Sequence, residues 1–193
     1  LILKLSKLKI LFIILSILLS LPLKAENINT LCLENNNSKF KEIELPNKIS
    51  VKVNKNKTFQ TNNLKIITST DLIKKKYKKR FSGKVKIFYK DKICEYKAAV
   101  RIHGDFKDHL KLVKGNIIQS LDIHLKEGNI NGITKFKLFL PETRINPDEE
   151  IVITEIYRSL NILSPRTFFI NVDNQSNNYL ALFQEKTEKE FLE

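Results

Sequence analysis

The chain has no methionine and no tryptophan, and its 193 residues include only five glycines, five prolines, three histidines and two cysteines. Two cysteines without a Cys-x-x-Cys spacing leave no ligand set for a structural zinc site. There is no Gly-x-x-x-x-Gly-Lys loop to cradle phosphates and no Ser-His-Asp arrangement beyond chance, which excludes P-loop nucleotide chemistry and triad hydrolysis. His103, Asp105, Asp108 and His109 crowd one loop, but their spacing matches no standard zinc or calcium pattern, so no metal site is assigned. Only one long apolar run occurs, near the amino end, and the remainder is expected to be soluble.

That run identifies an export signal. Lys4, Lys7 and Lys9 precede apolar residues 10–21, and Pro22 and Ala25 follow. This is the basic, apolar and small-residue order of a secretory signal peptide. About 12 apolar residues fall short of the roughly 20 that span a bilayer. We therefore expect a signal peptide over 1–25, a flexible Asn-rich leader over 26–42 and one domain over 43–193. The alternative is a membrane anchor through residues 1–21. An exported chain lies in the periplasm, the cell envelope or outside the cell, where Cys32 and Cys94 either bridge or stay as two unrelated thiols.

The formal charge is +13, and loss of Lys4, Lys7, Lys9 and Lys24 with the signal leaves +9. A basic balance suits an anionic envelope component, although Lys, Asn and Ile in excess are also what AT-rich coding produces. The run KKKYKKR (74–80) is read as a helix from Leu72 to Arg80 behind a cap at Asp71, its cations forming either a solvated face or a docking patch. Nucleic acid ranks last as a partner, because no aromatic RNA motif, helix-turn-helix or zinc-finger spacing accompanies the lysines.

Strands are predicted at 48–53 and 64–68, then a hairpin over 84–102 with its turn at Asp91 and Lys92. A second hairpin pairs 121–125 with 135–140 across Gly128, Asn129, Asn131 and Gly132. In it Leu121, Ile123 and Leu125 alternate with Asp122, His124 and Lys126, which places His124 toward solvent. Residues 103–114 are read as a loop. Asn146 and Pro147 start a helix with Asp148, Glu149 and Glu150 in its first turn. Its buried stripe is expected at Ile151 or Val152, Ile156, Ser159, Leu160 and Leu163. Strands at 167–172 and 179–184 close the order. The class is α+β: antiparallel hairpins with one main packed helix.

Three stretches, RIHGDFKDHLKL (101–112), LSPRTFFINVDN (163–174) and YLALFQEKTEKEFLE (179–193), together resemble the spore-coat-protein-H (CotH) kinase-like family over about residues 98–193. The resemblance implies the amino-terminal lobe of an atypical kinase-like fold. It implies a secreted protein that transfers phosphate from ATP with Mg2+ to an extracytoplasmic protein or envelope component. The catalytic lobe would lie beyond Glu193, so the carboxyl end is expected to be a truncation. The missing lobe is then a partner, and the fragment alone is expected to be inactive. The rival function is a non-catalytic envelope binding module.

The resemblance also nominates cofactor-binding residues: Arg101, Glu155, Arg166, Glu185 and Lys186. Glu155 is preferred over Glu149 and Glu150 as the helix acid that orients a phosphate-contacting cation. Arg144 and Arg166 suit bidentate contacts to carboxylate or phosphate, or clamp the protein's own loops. The catalytic residues are not identified. Where the family shows a lysine this chain has Ile118, so the cation is sought among Arg101, Lys114, Lys126 and Lys137. An apolar edge around Leu182, Phe183 and Phe191 is expected to lie open for the missing lobe.

Overall fold

The computed structural model describes Cys32 and residues 44–69, 72–175 and 177–187. The expected signal peptide and almost all of the expected leader lie outside the described residues. Alternating apolar side chains produce most of the strands. In β1 (Lys48–Val53) they are Ile49, Val51 and Val53, and in β2 (Phe81–Phe88) Val85 and Ile87. β3 is Ile93–Ile102, β6 Leu121–Leu125 and β7 Lys135–Phe139. β8 (Thr167–Asn174) and β9 (Asn177–Glu185) form a hairpin with a tighter turn than the expected 173–178.

These seven strands form a closed barrel in the order β1-β2-β3-β6-β7-β9-β8. All neighbours are antiparallel except the closing pair, in which β1 runs parallel to β8 with Ile49 opposite Val172. This corrects the α+β, kinase-lobe expectation. Closure removes the edges that an open sheet of hairpins would present. The interior is apolar, with Phe136, Phe183, Ile87, Ile123 and Leu138 fully enclosed. Phe136 and Phe168 stack on Phe183 with ring centroids 4.8 and 4.5 Å apart. Leu182 and Phe183 are completely buried, so the expected open edge is absent there. Phe191 lies outside the described residues.

Three further local expectations fail. The predicted strand at 64–68 is the end of α1 (Asn56–Ile67), which buries Phe59, Asn63 and Ile66. The predicted basic helix shrinks to a single 3-10 turn at Lys75–Tyr77, since six cations in seven residues repel one another along any helix face. The predicted loop at 103–114 contains β4 (Leu110–Val113), which pairs with β5 (Asn116–Gln119) around Lys114 and Gly115, both at positive φ. This small hairpin and α1 pack together near the barrel end where Tyr179 donates its hydroxyl to the Gln119 carbonyl at 2.9 Å.

α2 (Pro147–Ser159) lies at its predicted place, but its faces are reversed. Pro147, Glu150, Ile151, Thr154 and Arg158 are the partly covered positions, so of the expected stripe Ile151 alone is covered, whereas Val152 and Ile156 on the helix and Leu160 and Leu163 just after it are 56, 49, 63 and 65 % exposed. Asn146 gives no side-chain cap to the backbone and instead donates to Glu149 at 2.8 Å. Cys32 and Cys94 form a disulfide with a Cα–Cα distance of 5.7 Å. It ties the leader to β3.

Candidate anion site on the outer face of the barrel

Strand register sets up the site. Arg101 on β3 faces Asp122 on β6, Asp122 faces Lys137 on β7, and Lys137 faces Gln184 on β9. The flanking residues Val100, Ile123, Phe136 and Phe183 point into the barrel, so this polar row lies on its outer face. Alternation requires that. It does not require the row to meet water, and the Asp122 side chain is only 1 % exposed.

Asp122 is enclosed by cations. Arg101 donates through Nε at 2.9 Å and NH2 at 2.6 Å to its Oδ2, and Arg80 donates through NH2 at 3.0 Å to its Oδ1. His124 Nε2 lies 3.2 Å from Oδ1, so His124 is part of this cluster and does not simply face solvent. Burial alone would raise the Asp122 carboxyl, but the hydrogen bonds from Arg101 and Arg80 outweigh it and hold the group below the usual carboxylate range.

On the other side of Lys137, Arg144 grips Glu150 of α2 through Nε at 2.8 Å and NH2 at 2.7 Å, and Gln184 donates to the same carboxylate. The Arg144 guanidinium lies 4.9 Å and the Lys137 ammonium 5.6 Å from the centre of the Phe139 ring. His103 meets the Phe139 ring edge-on at 4.9 Å, and the His109 ring in turn meets His103 edge-on at 5.4 Å. Burial, with help from Lys137, pushes the His103 imidazole down to about 4, and burial also lowers His109. Both rings are neutral at pH 7.

Lys137 differs from the cations beside it. It is partly buried, and among the described residues its ammonium makes no hydrogen bond or ion pair; Phe139 supplies its ring contact. Burial lowers its pKa, Asp122 opposes that shift, and Lys186, Arg144 and Arg101 reinforce it. A cation in this position gains most from an added anion, which would bring it a counter-charge without displacing an existing one.

The nominated residues do not converge. Arg101 belongs to this face. Glu155 is exposed on α2 and pairs with Arg158 at 3.1 Å, so the helix acid that reaches the sheet is Glu150. Arg166 donates to both oxygens of Glu185, at 2.9 and 3.0 Å, and to the Asn131 carbonyl. This Arg166–Glu185 pair is a clamp between β9 and the Gly128–Gly132 turn region. The Lys186 backbone N–H bonds to the Lys135 carbonyl at 3.0 Å, continuing the β7–β9 ladder. Lys114 is at the β4–β5 turn and Lys126 follows β6, so of the four cations considered for a phosphate only Arg101 and Lys137 share the row. Arg80, Asp122, His103 and Gln184 were missed. Strand spacing shows that such residues point outward, but not that they meet one another.

The chain matches no family model and no curated protein.

Proposed function

We propose that this chain is an exported, non-catalytic binding module of the cell envelope. Its outer face at Lys137 seats the anionic group, phosphate or carboxylate, of an envelope component. The carrying observation is the partly buried Lys137 ammonium, which among the described residues makes no hydrogen bond or ion pair and stands between two satisfied Arg–carboxylate units. Arg101 and Arg144 add positive potential, and the buried Phe139 ring packs against the Arg144 and Lys137 cations. Export rests on the order of residues 4–25, and the Cys32–Cys94 bridge is compatible with an oxidising compartment.

A second reading, an atypical kinase-like protein completed by a further lobe, draws on one observation. Glu150 on α2 is bound to a cation beside Lys137, and a helix acid that orients a phosphate-binding cation is a recurring part of kinases. The cations of this face would attract ATP phosphates. Mg2+ does not fit it, because Asp122 and Glu150 are both spent on guanidiniums.

Calorimetry with pyrophosphate and with Mg·ATP, on the wild type and on Lys137→Gln, tests both readings. The module reading expects salt-sensitive pyrophosphate binding that weakens at least about tenfold in Lys137→Gln, with ATP no tighter. ATP bound a hundredfold tighter than pyrophosphate would favour the kinase reading. Absence of anion binding to the wild type removes both.

A further inference from the structure

Beyond the end of α2 the chain turns back to the barrel. Asn161 takes a positive φ of 57°, and residues 162–166 then lead into β8. A crevice of about 420 Å3 lies along this turn, within the size range of small-molecule sites. Its polar wall is made by Arg158, Asn161, Ser164, Arg166 and Glu185, and Ile162 and Leu163, 50 and 65 % exposed, add apolar surface. Glu185 faces Phe136 across the β7–β9 ladder whereas Gln184 faces Lys137. Alternation therefore puts Glu185 and the Lys137 row on opposite sides of the sheet.

Ser164 is the residue that points to a ligand. It is 6 % exposed and lines the crevice, and among the described residues its hydroxyl has no hydrogen-bond partner. Hydroxyls this deeply buried are ordinarily satisfied, so the partner of Ser164 comes from what fills the crevice.

The charges of the wall define the chemistry of that occupant. Arg166 gives Nε and NH2 to the two oxygens of Glu185 at 2.9 and 3.0 Å, and Arg158 is paired with Glu155 at 3.1 Å. Both ion pairs are closed, so an entering anion meets Glu185 and an entering cation meets two guanidiniums. Hydrogen-bonding capacity is left over all the same. A guanidinium carries five N–H groups; Arg166 spends three of them on Glu185 and the Asn131 carbonyl, and Arg158 spends one. The Asn161 amide, like the Ser164 hydroxyl, is unspent among the described residues. Closely spaced, uncharged hydroxyls both donate and accept and match such a wall, while the C–H face of a sugar ring matches Ile162 and Leu163.

We propose that this crevice binds an uncharged saccharide unit. The proposal goes beyond the anion reading of Lys137 and does not rest on it.

Titration of the protein with maltose, cellobiose and N,N′-diacetylchitobiose, followed by two-dimensional amide NMR, tests it. At least one of these sugars is expected to give saturable shifts centred on residues 158–166 and Glu185. Ser164→Ala removes a hydroxyl without a protein partner, so it should keep the wild-type urea midpoint and bind that sugar about three- to tenfold more weakly. Arg158→Gln, at an exposed ion pair, is expected to weaken it likewise and serves if Ser164→Ala does not fold. Lys137→Gln should bind the sugar as the wild type does, whatever becomes of its anion affinity. No shift at these residues with any of the three sugars up to their solubility limits overturns the proposal. So do sugar affinities unchanged in both crevice variants, shifts that vanish in Lys137→Gln, or a crevice that responds to pyrophosphate and not to sugar.

Discussion

Replacing Asp122 by Asn is expected to move stability and anion affinity in opposite directions. The carboxylate accepts two hydrogen bonds from Arg101 and one from Arg80, with His124 beside it, at 1 % side-chain exposure. The amide keeps the shape but removes the charge and turns donors toward guanidiniums. Breaking a fully buried pair costs about 3–5 kcal/mol. Arg80 and Arg101 are 29 and 37 % exposed and can recover water, so a loss of about 2 kcal/mol is expected in urea unfolding at pH 7. The same change strips Lys137 of its nearest counter-charge. A bound anion about 6 Å from Asp122, at an effective dielectric of about 40, would gain about 1.4 kcal/mol, or tenfold in affinity. The stability loss also has a pH signature. The folded carboxyl is held below its unfolded value of about 3.9, so its contribution is present above that pH and vanishes as pH falls through the folded value. The variant and wild type should therefore draw together in stability as pH falls below about 4 and meet once it passes below the folded value. Pyrophosphate binding that is unchanged or weaker in the variant would refute the assignment of Lys137 as the anion-seating cation.

The histidine pair titrates in a different window. His103 is held down to about 4 by burial and by Lys137, with Asp122 opposing and His109 and Arg101 reinforcing, whereas an unfolded histidine titrates near 6.5. Between these values the unfolded chain binds the extra proton, so urea midpoints should fall as pH drops from about 6.5 to about 4, and His103→Gln should flatten that slope; a wild-type profile flat over the window would rule out a neutral, buried His103. Gln119 is fully buried, and neither atom of its amide has a hydrogen-bond partner among the described residues. Gln119→Leu is expected to leave stability unchanged or raise it by about 1 kcal/mol, because an orphaned amide costs more than an apolar side chain of similar shape; a loss above about 1 kcal/mol in urea unfolding would show that the amide is bonded.

Period-two alternation made the two long hairpins legible, because each strand buries one face and the register follows from the pattern. Asn146 and Pro147 likewise announced α2. Closure was not legible. It depends on β1 pairing in parallel with β8, more than a hundred residues away, and no local pattern names a strand's partner. The end of α1 reads as a strand over 64–68, where Ile66, Ile67 and Thr68 are β-branched, while the helix's actual burial signal, Phe59, Asn63 and Ile66, has a polar residue at its centre. The site was half legible. Arg101 and Lys137 could be named as cations, but Asp122 looked like an ordinary outward strand residue. Its burial comes from Arg80 and Arg101 folding over it, a contact that spans three segments of chain.

The reversal of α2 and the anion site have a common cause. A helix laid on an apolar sheet face would bury its own apolar stripe, but the barrel face near α2 offers Gln184 beside Lys137, and Arg144 arrives from the preceding turn. Glu150 answers those groups, and Thr154, one turn further on, lies on the same partly covered side. Once Glu150 faces inward, helical geometry carries Val152, Ile156 and Leu160 outward whatever their hydrophobicity. The chain therefore exposes an apolar stripe as the geometric consequence of anchoring α2 through a carboxylate. The conflict between a helix's pattern and its burial is a local inconsistency of the kind natural sequences keep where function requires it. Here the inward side of that conflict is accounted for by the cations around Phe139, which hold the Glu150 carboxylate and so fix the rotation of the helix.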